Sequence, residues 1–257
     1  MKKISLLLII FLFSVLQSTA VMAESIAAIK AKGVFNICVH SNAPPFSSRE
    51  NAQGLHIDLA QLIADELDVS LKLSWVSLPR YAKYVKCDAY MGVGIIGEQD
   101  DEGFLKKTRP YTQIEILAIT NANRQLKDID DLEGLRVATT SSSLIHMALL
   151  KKDVEIFVSY VGDLAIIEAV INGDADVGIV ANSGWGWYQI TNPQAAVDFH
   201  SQSTVFIEAM NGYPLAIGFR KADKATATEA NEILDRLEER GDLAKLLAKY
   251  GMEPFNK

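Results

Sequence analysis

Two apolar runs decide how this chain can fold. Residues 114–120 and 213–219 both read as buried strands, and they bracket a complete alternation of strands and helices. A first alternation precedes them. It has a strand at 34–39 (VFNICV) and an amphipathic helix over 55–67, with Leu55, Leu59, Leu62, Ile63 and Leu67 on one face. A β-branched strand at 69–76, a short segment from Pro79 and a strand at 89–93 complete it. The second unit repeats the order: strand 135–139, helix about 143–151, strand 154–158, helix 163–171 with Leu164, Ile167 and Ile171 aligned, and strand 176–181. Helices at 223–239 and 241–249, split at Gly241, bring no strand of their own and must pack on an existing lobe. The expectation is an α/β chain of two lobes, each a mostly parallel sheet flanked by helices. The chain leaves lobe one near residue 118 and returns near 213 through two hinge strands. Lobe one then comprises 24–118 and 213–257, and lobe two 119–212. Ligands of such folds sit in the crevice at the carboxyl ends of the parallel strands.

The amino terminus reads as a secretory signal. Lys2 and Lys3 precede ISLLLIIFLFSVL, and Val21 and Ala23 fit a cut before Glu24. The apolar stretch is too short to span a membrane, and no Cys follows it to carry a lipid. Removing residues 1–23, which hold those two lysines and no acid, moves the net charge from −7 to −9. That balance excludes a nucleic-acid or anionic-membrane partner. Two cysteines remain, Cys38 and Cys87, and in an oxidising compartment they form either a disulfide or two buried thiols. His40, His56, His146 and His200 show no metal-ligand spacing, and no metal or cofactor is expected.

In order along the chain, GVFNICVHSNAPPFS, GLHIDLAQLIADEL, TRPYTQ, LEGLRVATTSSS, INGDADVGIVANSG and YPLAIGFRKAD resemble the bacterial extracellular solute-binding proteins of family 3. The resemblance implies the type II periplasmic binding protein fold, a periplasmic location and a monomer without enzymatic activity. It also implies a small polar solute in the inter-lobe cleft and an ABC permease as partner. Three anchors that the amino-acid receptors of this family carry are absent. No Arg stands between Val93 and Thr108, Asn182 occupies the place of an ammonium-binding aspartate, and Ala43 that of a stacking aromatic residue. KCDAYMGV followed by TRPY is similar to a subgroup of accessory proteins for methanol and other quinoprotein dehydrogenases, which implies a Cys38–Cys87 bridge and a dehydrogenase partner instead. A third alternative is a periplasmic dehydratase of the same fold. Against it, no GxSxG, HExxH or acid/base pair is present, and Asp58, Asp88, Asp163 and Asp176 read as structural carboxylates at element ends.

The resemblance assigns ligand contacts to Asn42 and Phe46 after the first strand and to Gly92, Val93 and Gly94 at the end of the third. Arg80 and Tyr84 are candidates between strands two and three, against a solvated surface turn. Thr140, Ser141 and Ser142 can hold an anion at a helix start, or Ser141 or Ser142 can simply cap it. Asn182 and Trp185 follow a second-lobe strand. There the glycines of NSGWGW leave the rings of Trp185 and Trp187 free to line the cleft, unless they pack in the lobe-two core. Arg109 reads as structural. Glu98, Asp100, Asp101 and Glu102 form a solvated run or a docking surface, without the oxygen spacing of a calcium loop. With the zwitterion anchors absent, no common amino acid should raise the melting temperature, and a gain of several degrees with glutamine or arginine in a thermal scan would contradict this.

Overall fold

The computed structural model describes residues 25–255 except 78–80, 96–104, 142, 152–153, 155, 157, 204–211 and 221–223. The expected signal segment, Arg80, the acidic run at 98–102 and Ser142 lie outside the described residues. Helix α1 (Ile26–Lys32) starts at Ser25, whose hydroxyl accepts the Ala28 N–H, and ends at Gly33 in the left-handed region. Strand β1 (Val34–His40) leads into a turn shaped by two short paired strands, β2 (Asn42–Ala43) and β3 (Ser47–Ser48). Helix α2 (Leu55–Leu67) buries Leu55, Leu59, Ile63 and Leu67, the apolar stripe of its sequence. Strand β4 (Ser70–Val76), the short helix α3 (Ala82–Val85) and strand β5 (Ala89–Gly94) follow. The parallel trio is β4-β1-β5, with β1 matched to β4 from Val34↔Ser70 to His40↔Val76.

The chain then adds β6 (Leu105–Lys107) and β7 (Thr112–Ile114), and changes sheet at Glu115 to continue as β8 (Ile116–Asn121). The second unit runs through β9 (Val137–Thr140), α4 (Leu144–Leu150), β10 (Val158–Tyr160), α5 (Asp163–Ile171) and β11 (Val177–Ala181). Helices α6 (Asn182–Thr191) and α7 (Pro193–Ala196) and strand β12 (Phe199–Ser203) complete it. Strand β13 (Tyr213–Arg220) re-enters the first sheet, and α8 (Lys224–Glu239) and α9 (Asp242–Lys249) follow. The first sheet has the order β4-β1-β5-β13-β6, with β7 also on β13, and the second has the order β10-β9-β11-β8-β12. Each is a parallel trio extended by antiparallel strands. Among the described residues, no helix is long and apolar enough to cross a membrane.

Several expected details differ. The run 114–120 is two strands, because Ile114 pairs with Tyr213 in the first sheet while Ile116 pairs with Ala181 in the second. In place of the strand expected at 154–158, β10 covers Val158–Tyr160, and Val154 and Ile156 pack into the second-lobe core beside Leu132 and Leu149. Strand β12, which the sequence reading did not include, is polar and pairs with β8.

The carboxy-terminal helices join the first lobe. Leu234, Leu237, Leu243 and Leu247 share a core with Phe35, Ile37, Leu59 and Phe219. Arg109 fastens them: its guanidinium donates to Asp235 at 2.7 Å and Glu238 at 2.5 Å, and its N–H to Asn231 Oδ1. Cys38 and Cys87 are bonded, buried beside Val76, Tyr90 and Leu105, and tie β1 to the residues entering β5. The bridge closes a separation of 49 residues, long enough that its loss removes a large constraint on the unfolded chain. Replacing both cysteines by Ala should lower unfolding free energy by roughly 2–4 kcal/mol in denaturant titrations, with wild type showing the same drop under reductant.

Candidate functional site

The carboxyl ends of β1, β10 and β11 converge on the gap between the lobes. From the first lobe, the turn after β1 is held by Ser47 Oγ donating to His40 O at 2.7 Å and by Asn42 N–H donating to His40 Nδ1 at 3.1 Å. This presents Asn42, Ala43, Pro44 and Phe46 to the gap. Phe46 is backed by His56, whose ring stacks on it with centroids 4.7 Å apart. Burial holds the His56 imidazole neutral, pushing its pKa down to about 3, and its Nε2 shares a hydrogen bond with the Tyr111 hydroxyl at 2.8 Å. Gly92 lies under this ring: it has φ +73, and a Cβ there would fall 2.1 Å from His56 Cε1.

From the second lobe, Val161 and Gly162 lead into α5, which opens with Asp163. The Asp163 carboxylate accepts the Ala181 N–H through Oδ2 at 3.1 Å. Burial raises its pKa above the ordinary carboxylate value, and that single N–H opposes the shift. Helix α6 runs close by, and a Cβ on Gly184 would lie 2.6 Å from Asp163 Cβ. On the first-lobe side, the Tyr213 ring lies over Gly94, where a Cβ would stand 3.0 Å from Cδ2. Desolvation raises the Tyr213 hydroxyl pKa, and the Asp163 charge adds to the rise. Together these groups enclose a cavity of about 440 Å³, with Ile114, Leu164 and Ala181 completing its walls.

The expected site residues separate by location. Asn42 and Phe46 line this cavity. Gly94 sits beneath Tyr213, whereas Gly92 packs on His56 and Val93 packs on the cluster around the disulfide. Thr140 ends β9 opposite Tyr160, and the exposed Ser141 donates its N–H to Tyr160 O. The cap of α4 is Ser143, not Ser141 or Ser142, since its hydroxyl accepts the His146 N–H at 3.0 Å. Tyr84 is exposed on α3 with its ring 6.4 Å from that of Tyr81.

Asn182 and Trp185 lie on the other face of the crossover. Asn182 Nδ2 donates to Gln113 O at 3.1 Å, its Oδ1 accepts the Ser183 N–H, and its own N–H donates to Glu115 O at 2.8 Å. Trp185 is buried against Tyr188 and borders a second cavity, of about 310 Å³, with Gln113, Glu115, Leu117, Gly251 and Glu253. The NSGWGW segment is therefore helical and its rings are not free. Trp187 stacks on Tyr250 of the first lobe at 5.6 Å, and a Cβ on Gly186 would meet Gly251 O at 2.0 Å. Asp163, Ala181, Tyr213 and Ile114 were not singled out as site residues from sequence. Asp163 was read only as a structural carboxylate; the Val-Gly-Asp-Leu junction of strand and helix is a signal that could have found it. Among the described residues, no three His, Cys, Asp or Glu side chains gather as a metal site would need.

Residues 35–253 match the family described as bacterial extracellular solute-binding proteins, family 3. A "Probable histidine-binding protein" of Neisseria gonorrhoeae is 22% identical over 227 residues, spanning 84% of this chain and 82% of its own length. An ancestral cationic amino acid solute binding protein of known structure superposes with a TM-score of 0.71 at 21% identity, over 88% of this chain and 99% of its own. The periplasmic binding protein XoxJ from Methylobacterium extorquens AM1 does so with a TM-score of 0.67 at 18% identity, over 87% and 100%. At these identities the structural likeness establishes the fold, the two-lobed type II periplasmic binding protein.

The Asp163 carboxyl titrates higher in the folded chain than in the unfolded one, so its protonated form is the one that favours folding. That contribution is complete below the unfolded value of 3.8 and is lost as pH rises through the raised folded value. Asp163→Asn should therefore have a higher Tm than wild type at neutral pH. Calorimetry at a pH below 3.8 should find the gain gone.

Proposed function

Because this chain belongs to the bacterial extracellular solute-binding proteins, family 3, we propose that it is a periplasmic receptor that closes its lobes on a small solute and presents it to an ABC permease. Proteins of this family are periplasmic, and the reading of residues 1–23 as a secretory signal agrees with that location. One observation carries the reading: the cavity of about 440 Å³ is walled by both lobes, with Phe46 and Tyr213 on one side and Asp163 and Leu164 on the other. A molecule that touches both sides gains contacts only when the lobes approach, so it shifts the population toward the closed form. Among the described residues that line the cavity, Asp163 is the only carboxylic acid, and no histidine or cysteine accompanies it. That set supports binding rather than acid–base or nucleophilic catalysis.

A second reading makes the chain an accessory protein of a periplasmic quinoprotein dehydrogenase. The Cys38–Cys87 bridge favours it, since the resemblance ascribes that pair to the accessory subgroup. The exposed side chains of Tyr84 and Val85 on α3 offer a surface for contact.

The two readings part on whether a solute closes the cleft. Ala165 lines the cavity at a half-buried position of α5, so Ala165→Trp fills it from the second lobe. In a thermal-shift screen of small solutes against unfolded-and-refolded protein, at least one solute should raise Tm and compact the protein in small-angle scattering. The Trp variant should show neither effect at an unchanged basal Tm. A solute-independent Tm across the screen, or a shift that survives in the variant, defeats the receptor reading.

A further inference from the structure

Resting on the reading of the cleft as a solute site, we propose that its ligand is a small organic amine with an apolar body and no carboxylate, its ammonium seated on Asp163. Of the four element-end carboxylates singled out from sequence, Asp58, Asp88, Asp163 and Asp176, three have a cation. Asp58 receives Lys249 Nζ at 2.6 Å, Asp88 receives Lys32 Nζ at 2.5 Å, and Asp176 takes a two-pronged contact from Arg136 with both bonds at 3.0 Å. Asp163 alone of the four has no cation among the described residues, and it is the one that lines the cleft. Its Oδ2 is engaged by one backbone N–H, and its desolvation leaves a negative charge that a ligand cation would relieve.

The surroundings define the rest of the ligand. The Phe46 and Tyr213 rings share the cavity with Asp163, and aromatic faces attract ammonium groups. Pro44, Ile114 and Leu164 supply an apolar wall that favours a hydrocarbon body. No described lysine or arginine lines the cavity. Lys107, on β6, spends its ammonium on Gly94 O at 2.9 Å. A ligand carboxylate would be desolvated against that wall without a guanidinium to receive it.

The test is isothermal titration calorimetry on the full mature chain, refolded to remove any carried ligand. The probes are 2-phenylethylamine, 3-methylbutylamine and cyclohexylamine, set against 3-phenylpropionate and phenylalanine. The amines should bind about tenfold or more tightly than either carboxylate-bearing probe. Asp163→Asn should weaken the amines by about tenfold or more while leaving the fold intact, because its amide oxygen still accepts the Ala181 N–H. Far-UV circular dichroism and Tm check that the variant is folded. Equal or tighter binding of the carboxylate probes, undiminished amine binding in Asp163→Asn, or no amine binding at all overturns the assignment. The receptor reading is judged separately: a solute of other charge whose binding is abolished by Ala165→Trp keeps the cleft as the site and removes only the amine.

Discussion

The chain passes from one sheet to the other within a single residue, and the remainder of the molecule is arranged about that step. Ile114 is the last residue paired in the first sheet and Ile116 the first paired in the second, with Asn182 spanning the two. Its side chain donates to Gln113 O and its backbone N–H to Glu115 O, so the crossover keeps its hydrogen bonds where neither sheet can supply them. Because strand side chains alternate, this short passage has two faces. Ile114 looks into the cleft, while Gln113, Glu115 and Leu117 look into the smaller cavity behind it. Helix α6, which starts at Asn182, then connects the lobes a second time. Trp185 enters the second-lobe core, and Trp187 lies on Tyr250 of the first. Gly186 and Gly251 approach closely enough that neither leaves room for a Cβ, so the lobes touch along this line as well as through the crossover.

What the sequence revealed of the fold follows from which forces act locally. Helices over 55–67 and 163–171 appear at the residues expected, because their apolar stripes face a sheet and their boundaries are marked, the first ending at Asp68 in the left-handed region and the second starting after Gly162. Glu115 was not legible as a boundary, since one polar residue in an apolar run also fits a half-buried strand. Strand β12 (FHSQS) has no apolar pattern to read; it lies at the sheet edge and is held by its ladder with β8. The glycines of NSGWGW suggested rings free to line the cleft, yet Gly184 and Gly186 are set by close approach to Asp163 and Gly251, residues distant in sequence.

The site was legible where a turn points its residues by itself. Asn42 and Phe46 follow β1 directly, and the hydrogen bonds to His40 aim them. It was illegible where the alternation of a strand decides. Ala181 and Asn182 are neighbours, but the first lines the cleft and the second faces the crossover, so an assignment one residue off selects the opposite face. Tyr213 was assigned to a hinge strand, and its place over Gly94 depends on the antiparallel pairing of β13 with β5. His56 was weighed only as a metal ligand. Its part, neutral and stacked behind Phe46, follows from burial that no spacing rule discloses.

Asp163 shows how a fold and a site can compete for one group. A carboxylate kept only for structure is best paired, as Asp176 is with Arg136, because a desolvated charge with one N–H destabilises the folded chain. The same desolvation strengthens attraction to a cation that arrives from outside, since less water screens the pair. Gly162 and Gly184 hold the group in that state: the first, at φ +91, turns the chain into α5, and the second lets α6 close over Asp163. Two residues without side chains thus enclose an acid for which the described part of the protein supplies no counterion, at the wall where the other lobe presents its aromatic rings. The Ala181 N–H alone could be received by a neutral amide oxygen, whereas a cation arriving from the cleft would need the carboxylate.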